Sequence, residues 1–286
     1  MRVWLNGELV DREDAKLSVF DHATLYGDGV FEGIRIYNGR IFQCQAHVDR
    51  LFASAEAIHL KIPYAKQQLV DAMYETLRAN AIVDGYIRLV VTRGEGTLGL
   101  DHNKCPHPST FIIADQIALY PQEMYDNGMA VIIAKTVRTS SRSLNPAVKS
   151  LNYLNNIQAK IEAIDAGVVE AIMLNEAGNV AECTGDNLFL VKDGCVVTPP
   201  PGEGILIGVT RGVVIRLAGR LGIPLNETPI TVEELYGADE CFLTGTAAEV
   251  IAVTKVDDRA IGDGKVGPVT RKLLAAFREF IRSDEA

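Results

Sequence analysis

The hydrophobic pattern of this chain breaks between Tyr120 and Gly128, and this break constrains the fold more than any other feature. Pro121 and the turn Asp126-Asn127-Gly128 fall inside it, and such residues punctuate chains between folded segments. A chain of 286 residues is long enough for two ordinary domains. We therefore predict domains at residues 1–119 and 129–286, joined by an interdomain loop at 120–128.

The residues before the break predict strands in hairpins, followed by helices. The turn dipeptides Asn6-Gly7 and Asn38-Gly39 each separate two strand-type runs, which is the strongest short hairpin signal. Between Asp21 and Gly29 lies a loop punctuated by glycines. The predicted elements are strands at 3–5, 8–10, 30–37, 40–43, 86–92 and 111–114, and helices at 46–60 and 66–80.

The residues after the break are dominated by short strand-type runs with few helices between them. Strands mixed with segregated helices are typical of an α+β domain or of a barrel-like domain. The predicted strands are 130–135, 170–175, 180–184, 187–192, 196–197, 240–244 and 250–256, and the predicted helices are 209–221 and 269–282.

Composition excludes several classes of function. A net charge of −9 argues against nucleic acid as the main partner, because phosphate backbones bind basic surfaces. We find no apolar run long enough to span a bilayer and expect no membrane association. The five cysteines are scattered, and neither they nor the five histidines show metal-ligand spacing. We therefore predict reduced thiols, a cytoplasmic location and no metal site.

One lysine lies between an apolar residue and a predicted helix start. Pro146, just before Lys149, disfavours a helix that continues from the N-terminal side. After Lys149 apolar residues recur with helical spacing and a glycine follows, at Leu154, Ile157, Ile161, Ile164 and Gly167. A lysine in partly apolar surroundings loses its charge more easily, and a neutral amine is what Schiff-base chemistry with an aldehyde requires. A surface lysine with a buried stem fits the same pattern.

A glutamate in the second half is a candidate partner for this chemistry. Glu182 lies among small and apolar neighbours in Val180-Ala181-Glu182-Cys183, so if it is buried it requires a cationic partner. A protonated pyridine nitrogen would serve, and the pairing would keep such a ring an electron sink. An exposed strand glutamate is the alternative.

Two turns in the second half can bind anions. Gly208 and Thr210 open the predicted helix at 209–221, where backbone N–H groups and a hydroxyl can face a phosphate. The small residues of Thr244-Gly245-Thr246-Ala247 form a second turn that can do the same. For the first turn, the alternative is that Thr210 simply caps the helix. For the second turn, the alternative is a tight loop that requires small residues. Together with Lys149 and Glu182, these turns form the parts of a pyridoxal phosphate site.

Two predicted strands offer a face for a substrate. Alternation places Phe31, Gly33 and Arg35 on one face of the first strand, and Tyr86 and Arg88 on one face of the second. A glycine between an aromatic residue and an arginine leaves room for a ligand, and tyrosine with arginine can hold a carboxylate. Tyr86 and Arg88 could equally well lie on an exposed rim of the sheet without binding a ligand. Arg50 falls on the solvent side of its predicted helix.

The whole chain resembles the fold-type IV pyridoxal phosphate enzymes, and most closely the branched-chain amino acid aminotransferases. The matching runs occur in family order from end to end. They are Tyr26 to Arg35, His47 to Leu51, Tyr86 to Arg88, Lys149 to Tyr153, Glu182 with Asn187 to Phe189, Gly208 to Arg211, and Gly245 to Glu249. The resemblance implies an α+β fold with a small N-terminal α/β domain and a larger pseudo-barrel domain carrying the cofactor lysine.

The resemblance also implies a role for each site residue. Lys149 would bond the cofactor and move the proton between substrate and cofactor, Glu182 would pair with the pyridine nitrogen, and Tyr153 would approach the phenolic oxygen. Leu206 would pack on the ring. The implied phosphate ligands are Arg50, Val209, Thr210 and Thr246. The implied substrate contacts are Tyr26, Phe31, Gly33, Arg35, Tyr86 and Arg88, with Thr246 and Ala247 at the α-carboxylate. Such enzymes are at least homodimers, and Leu100 would reach the pocket of a neighbouring subunit.

The implied reaction is transamination between L-leucine, L-isoleucine or L-valine and 2-oxoglutarate. The run Lys149-Ser150-Leu151-Asn152 is shorter than in many branched-chain enzymes and resembles the D-amino acid aminotransferases. That branch carries an arginine in the loop at 97–102, which is absent here, and it lacks Phe31-Glu32-Gly33-Ile34-Arg35. The balance favours L-branched-chain substrates. A D-amino acid or (R)-amine aminotransferase and an aminodeoxychorismate lyase are the alternatives.

Overall fold

The computed structural model describes residues 1–117 and 120–283. The chain divides into two units, Met1–Ala118 with Val148–Asn152, and Leu119–Ala147 with Tyr153–Ala286. The predicted end of the first domain, residue 119, lies outside the described residues. Residues 148–152 belong to the first unit here, whereas the predicted boundaries place them in the second domain.

The first unit contains a six-stranded antiparallel sheet in the order β2-β1-β6-β5-β3-β4. Its strands are β1 Arg2–Leu5, β2 Glu8–Asp11, β3 Gly29–Tyr37, β4 Arg40–Ile41, β5 Gly85–Glu95 and β6 His107–Asp115. Its helices are α1 His22–Tyr26, α2 Cys44–Ala57 and α3 Lys66–Ala79, with a 3₁₀ turn at His102–Lys104. Both predicted hairpins are confirmed, and Asn6 and Asn38 adopt the positive φ that their turns require.

The core of the first unit lies between the sheet and helices α2 and α3. Ile87, Leu89 and Val91 are fully buried in one cluster with Val48 and Leu51 of α2. The predicted alternation of β5 is therefore confirmed.

The short helix α1 was not predicted. Asp21 caps its start, because the Asp21 carboxylate accepts a hydrogen bond from the Ala23 N–H. Gly27 ends it in the left-handed region at φ 70°. A helix of five residues is too short to show helical periodicity, so only these two caps signal it.

Backbone pairing to β3 explains why residues 148–152 belong to the first unit. The Phe31 N–H donates to the Lys149 carbonyl at 3.0 Å, and the Leu151 N–H donates to the Gly29 carbonyl at 2.9 Å. Lys149 is therefore fixed along the edge of a strand whose side chains were predicted to meet the substrate.

The second unit contains a nine-stranded mixed sheet in the order β12-β11-β10-β13-β14-β7-β8-β9, with β15 paired to β14. Its strands are β7 Met129–Ile133, β8 Ala171–Leu174, β9 Val180–Cys183, β10 Asn187–Lys192, β11 Cys195–Thr198, β12 Leu225–Glu227, β13 Glu240–Gly245, β14 Glu249–Val256 and β15 Arg259–Ala260. Its helices are α4 Gln122–Asn127, α5 Leu154–Asp165, α6 Val209–Arg220, α7 Val232–Tyr236 and α8 Pro268–Phe280, with a 3₁₀ turn at Pro201–Glu203. The α+β prediction is confirmed, whereas α4, α7, β12 and β15 were not predicted.

Helix α5 is present as predicted after Lys149, but its apolar residues face outward. Asn156, Ala159 and Ala163 are the buried residues, and the two alanines pack against β8 residues such as Met173. The aliphatic side is exposed, with Leu154 at 67%, Ile157 at 51%, Ile161 at 50% and Ile164 at 62%. We call these four residues the α5 aliphatic stripe. Hydropathy alone predicts the wrong buried side, because small residues allow the helix to lie close to the sheet.

None of the helices in the described part of the chain has the length and apolar content to cross a bilayer.

Candidate active site

The face of strands β3 and β5 that was predicted to meet a substrate is present in the first unit. Gly33 pairs with Arg88, and Arg35 pairs with Tyr86, so these side chains share one face. The Arg88 guanidinium lies over Phe31, 4.5 Å from the ring centroid. A Cβ on Gly33 would lie 1.7 Å from the Tyr86 hydroxyl. Glycine therefore lets the Tyr86 side chain cross the neighbouring strand.

The candidate catalytic lysine meets this face. Lys149 Nζ lies 4.6 Å from the centroid of the Phe31 ring, and the lysine is half-buried. Its backbone N–H donates to Ser54 Oγ on α2 at 3.1 Å. The first unit thus places an amine, an aromatic ring and a guanidinium on one side of β3.

The opposite face of β3 carries a buried charged cluster that the sequence prediction missed. The Glu32 carboxylate accepts hydrogen bonds from Arg50 Nε, Arg50 Nη2 and His47 Nδ1, each at 2.7 Å. Burial would raise the pKa of Glu32, but these bonds and the Arg50 charge outweigh it and lower that pKa to about 2. Burial lowers the pKa of His47, so its imidazole is neutral near pH 7.

The structure corrects the prediction that Arg50 lies in water. Its side chain is only 14% exposed and pairs with Glu32, which is completely buried. The position of Arg50 on α2 points away from the core, but a long side chain can turn back toward a carboxylate. Glu32 was detectable as the one acid in the strand run 30–37. Glu32 fixes the plane of the Arg50 guanidinium, which suits a phosphate ligand.

In the second unit, Glu182 is 4% exposed, so the alternative of an exposed strand glutamate is wrong. One carboxylate oxygen accepts from Arg138 Nη2 at 2.6 Å. The other accepts from Asn187 Nδ2 at 3.0 Å and from the Leu206 N–H at 2.9 Å. Arg138 supplies a cationic partner within the protein that the sequence prediction missed, since it lies in an irregular segment without periodic pattern.

The start of helix α6 is built to receive an anion. Gly208 is the N-cap and provides no side-chain cap. Thr210 is 3% exposed, and within the described residues its hydroxyl finds no hydrogen-bond partner. A buried hydroxyl without a partner is unfavourable unless a ligand supplies one. The alternative of Thr210 as the helix cap is wrong, because the cap position belongs to Gly208.

The other predicted residues lie in the two units as follows. In the first unit Arg35 stacks on Tyr37 at 4.9 Å. The Tyr26 hydroxyl accepts from the Gly99 N–H at 2.9 Å, and the neighbouring Leu100 is 83% exposed. In the second unit Val209 begins α6 and Tyr153 precedes α5. Thr246 and Ala247 form the half-buried turn between β13 and β14.

Residues 29–256 match the family model described as class IV amino-transferase. The chain belongs to the class IV aminotransferases. It is therefore an aminotransferase enzyme, as the sequence predicted, and its substrates are small molecules.

Two relatives of this class IV aminotransferase carry different names. A Methanocaldococcus jannaschii protein provisionally named a branched-chain-amino-acid aminotransferase is 50% identical over 279 residues, covering 98% of this chain and 96% of the relative. A D-alanine aminotransferase from Staphylococcus haemolyticus is 37% identical over 282 residues, covering 99% and 98%. The family is therefore established, whereas the choice between these substrates requires further argument.

Solved structures confirm the fold-type IV prediction and the cofactor. The T.th. branched-chain amino acid aminotransferase with pyridoxamine 5′-phosphate has a TM-score of 0.95 and 37% identity, covering 99% of this chain and 95% of that one. The same enzyme with N-(5′-phosphopyridoxyl)-L-glutamate has a TM-score of 0.94 and 36% identity, with the same coverage. This class IV aminotransferase uses pyridoxal phosphate.

The residues present fit that cofactor. The buried Thr210 hydroxyl without a partner and the α6 N-terminus suit a phosphate. Glu182, held by donors on both oxygens, suits a pyridine N–H. The Lys149 amine beside Phe31 suits the aldehyde.

Thr210→Val tests the phosphate site. Valine keeps the shape but removes the hydroxyl, so we expect pyridoxal phosphate to dissociate about 10-fold more readily, as for one lost hydrogen bond to a charged group. The apoenzyme should be at least as stable as the parent, because the lost hydroxyl has no partner within the described residues. Cofactor titration of the apoenzyme and thermal unfolding measure both. Thr76→Val is the matched control, since that buried hydroxyl donates to the Ala72 carbonyl; equal cofactor losses in both variants would contradict the assignment.

The acid dependence of unfolding tests the Glu32 cluster. Folding lowers the pKa of Glu32 from 4.5 to about 2, so its stabilising contribution is complete above pH 4.5 and is lost as the pH falls toward 2. Glu32→Gln should lower the stability near neutral pH by about 3 kcal/mol, because Arg50 loses a buried counter-charge. It should also flatten the decline in stability over that acid window. Urea unfolding from pH 7 to 2 measures both, and an unchanged pH profile would contradict the assignment.

Proposed function

We propose that this enzyme transfers the amino group of L-leucine, L-isoleucine or L-valine to 2-oxoglutarate, giving branched-chain 2-oxo acids and L-glutamate. The observation that carries the proposal is the mixed face beside Lys149. Phe31 offers an apolar surface to an aliphatic side chain, and Arg88 lies over the same ring at 4.5 Å. A pocket with both groups can accept an aliphatic donor and a dicarboxylate acceptor in turn. The similar T.th. enzyme complexed with N-(5′-phosphopyridoxyl)-L-glutamate supports the second role.

The proposed mechanism assigns each residue a task at a stated atom. The bound cofactor supplies an aldehyde for the amino group and a ring that takes up the charge left at Cα. Lys149 Nζ would take the proton from the substrate Cα and deliver it to C4′ of the cofactor, and in the second half-reaction it would carry a proton from C4′ to the Cα of the acceptor. Arg88 and Tyr86 orient a carboxylate, and Gly33 contributes by leaving the space that the Tyr86 hydroxyl occupies.

The remaining assignments hold the cofactor. Arg50, Val209, Thr210 and Thr246 would bind its phosphate, and Glu182 would accept a hydrogen bond from its ring N–H. Tyr153 would approach its phenolic oxygen, and Leu206 would pack on its ring. The turn at Thr246 and Ala247 takes the substrate α-carboxylate through backbone N–H groups. Tyr26 and Arg35 complete the substrate contacts.

Turnover with both enantiomers tests the proposal. Purified enzyme with 2-oxoglutarate and L-leucine, L-isoleucine or L-valine should form glutamate faster than with D-alanine. Lys149→Ala, assayed in parallel, controls for contaminating activity. Turnover of D-alanine with none of the three L-amino acids would overturn the proposal and select the second candidate, which the D-alanine aminotransferase relative and the short Lys149-Ser150-Leu151-Asn152 run favour. Release of pyruvate from aminodeoxychorismate without an acceptor would select a lyase instead.

We also propose that the enzyme is at least a homodimer. The α5 aliphatic stripe in the second unit has the spacing i, i+3, i+7 and i+10, with which helices pair, and all four residues are at least half exposed. In the first unit Leu98 and Leu100 are 75% and 83% exposed, which supports the role of Leu100 in a neighbouring subunit. Exposed apolar patches of this kind mark protein contacts. The cytoplasmic location stays a prediction.

Sedimentation measures this association. The parent should sediment as a dimer or a larger assembly, and Ile161→Lys with Ile164→Lys should shift the population toward monomer. Gln158→Lys is the matched control, because Gln158 is an exposed residue of the same helix outside the stripe. A monomeric parent at micromolar concentration would contradict the proposal.

A further inference from the structure

The contact between Arg138 and Glu182 has a consequence for the cofactor beyond stability. The two side chains are 8% and 6% exposed, and their closest atoms lie 2.6 Å apart. Removing a salt bridge from water costs free energy that its Coulomb attraction often only balances. Apolar residues at these two positions would stabilise the fold about as well, so we look for a functional role of the Arg138–Glu182 salt bridge.

Arg138 is itself held in place within the second unit. Its Nη1 donates to Asn156 Oδ1 at 3.1 Å, and the Asn156 amide donates to the Thr184 carbonyl at 2.8 Å. The Arg138 N–H donates to the Leu174 carbonyl at 2.8 Å. Its own contacts to helix α5 and to strand β8 therefore fix the arginine, and Asn156 is in turn fixed by the residue after strand β9, so the position of Arg138 does not depend on a ligand.

A buried carboxylate facing a pyridine can share one proton in two ways. Either the carboxylate is ionised and the ring nitrogen holds the proton, or the carboxylic acid holds it and the ring is neutral. Both arrangements contain the same number of protons, and burial favours the neutral one, because separated charges are costly away from water. Only a protonated ring nitrogen makes the ring a strong electron sink.

We propose that Arg138 is the positioning residue that keeps the Glu182 carboxylate ionised and so places this proton on the cofactor's ring nitrogen. A fixed positive charge in contact with a carboxylate favours its ionised form by roughly 10- to 1000-fold. The same charge acts more weakly on groups beyond the carboxylate, because Coulomb energy falls with distance. The inference rests on the proposed pairing of Glu182 with that nitrogen and deepens it.

Nitrogen-15 NMR of the holoenzyme loaded with ring-¹⁵N pyridoxal phosphate tests the proposal. The parent should give the shift of a protonated pyridine, Arg138→Met that of an unprotonated one, and Arg138→Lys should restore most of the protonated signal. The kcat of Arg138→Met should fall by about 100-fold. Arg142→Met is the matched control, because Arg142 is an exposed arginine of the same segment and should leave the spectrum unchanged.

A double substitution keeps the test decisive where Arg138→Met alone fails to fold around an unpaired carboxylate. Because Arg138 acts through Glu182, adding Arg138→Met to Glu182→Gln should change neither the ring-nitrogen shift nor the cofactor Kd by more than about 2-fold. A further 10-fold loss in that background, or a protonated signal in Arg138→Met, would overturn the inference. An unprotonated signal in the parent would instead overturn the proposed role of Glu182 itself. Glutamate formation from an L-amino acid and 2-oxoglutarate is measured separately, so that failure of the proposed reaction can be distinguished from failure of the inference about Arg138.

Discussion

Lys149→Ala is expected to abolish transamination, with glutamate formation at least about 1000-fold below the parent. Among the residues of the proposed site, the Lys149 amine is the group that both bonds the aldehyde and carries the proton from Cα. Alanine leaves the fold intact, because the backbone of Lys149 pairs with β3 and with Ser54 whatever its side chain. The visible absorbance band of the loaded enzyme should disappear as well.

Lys66→Ala is the matched control for this variant. Lys66 lies in the same unit, is 46% exposed and pairs with the exposed Asp49, and an exposed ion pair contributes little. Its activity and absorbance should equal those of the parent. Turnover by Lys149→Ala within 10-fold of the parent would show that another group performs the proton transfer.

Gly94→Ala is expected to destabilise the first unit by about 3 kcal/mol or more. Gly94 has φ 87°, where an L side chain is strained, and a Cβ there would lie 1.9 Å from the His107 carbonyl oxygen. The obstacle is the backbone of the paired strand β6, which side-chain rotation cannot relieve. The bulge between Thr92 and Glu95 would have to open.

Gly39→Ala separates the two causes of this loss. Gly39 has a similar φ of 74°, yet a Cβ there meets no atom of the described chain within 4 Å. It should therefore cost only the backbone strain, about 1–2 kcal/mol. Urea unfolding compares the two variants, and equal losses would contradict the assigned role of the His107 carbonyl.

The elements that carry a turn dipeptide or a periodic hydrophobic pattern were predictable from the sequence. Asn-Gly turns predicted the two hairpins, at Asn6-Gly7 and Asn38-Gly39. Hydrophobic periodicity predicted the alternation of β5 and the helices α2, α3, α6 and α8. Helix α1 was missed because five residues carry no period. The spacing of the α5 aliphatic stripe predicted helix α5 but not its buried side, which is set by the packing of Ala159 and Ala163.

Within the candidate site, sequence reasoning found residues that carry reactive groups and missed those that hold them. Lys149 and Glu182 stand out by chemical type in their surroundings. Glu32 and Arg138 are partners that only the fold brings to Arg50 and Glu182. The two members of these pairs lie 18 and 44 residues apart in the sequence. Helix and strand periodicity relates residues only a few positions apart, so it cannot predict contacts over such distances.

The identity of the lysine that bonds the cofactor is the most direct test of the proposed site. Sodium borohydride fixes pyridoxal phosphate to the lysine that holds it, and peptide mass spectrometry then locates the modified residue. We expect one modified residue, Lys149, in a peptide that includes Ser150 and Leu151. A phosphopyridoxyl group on any other lysine, with Lys149 unmodified, would contradict the site and the mechanism built on it.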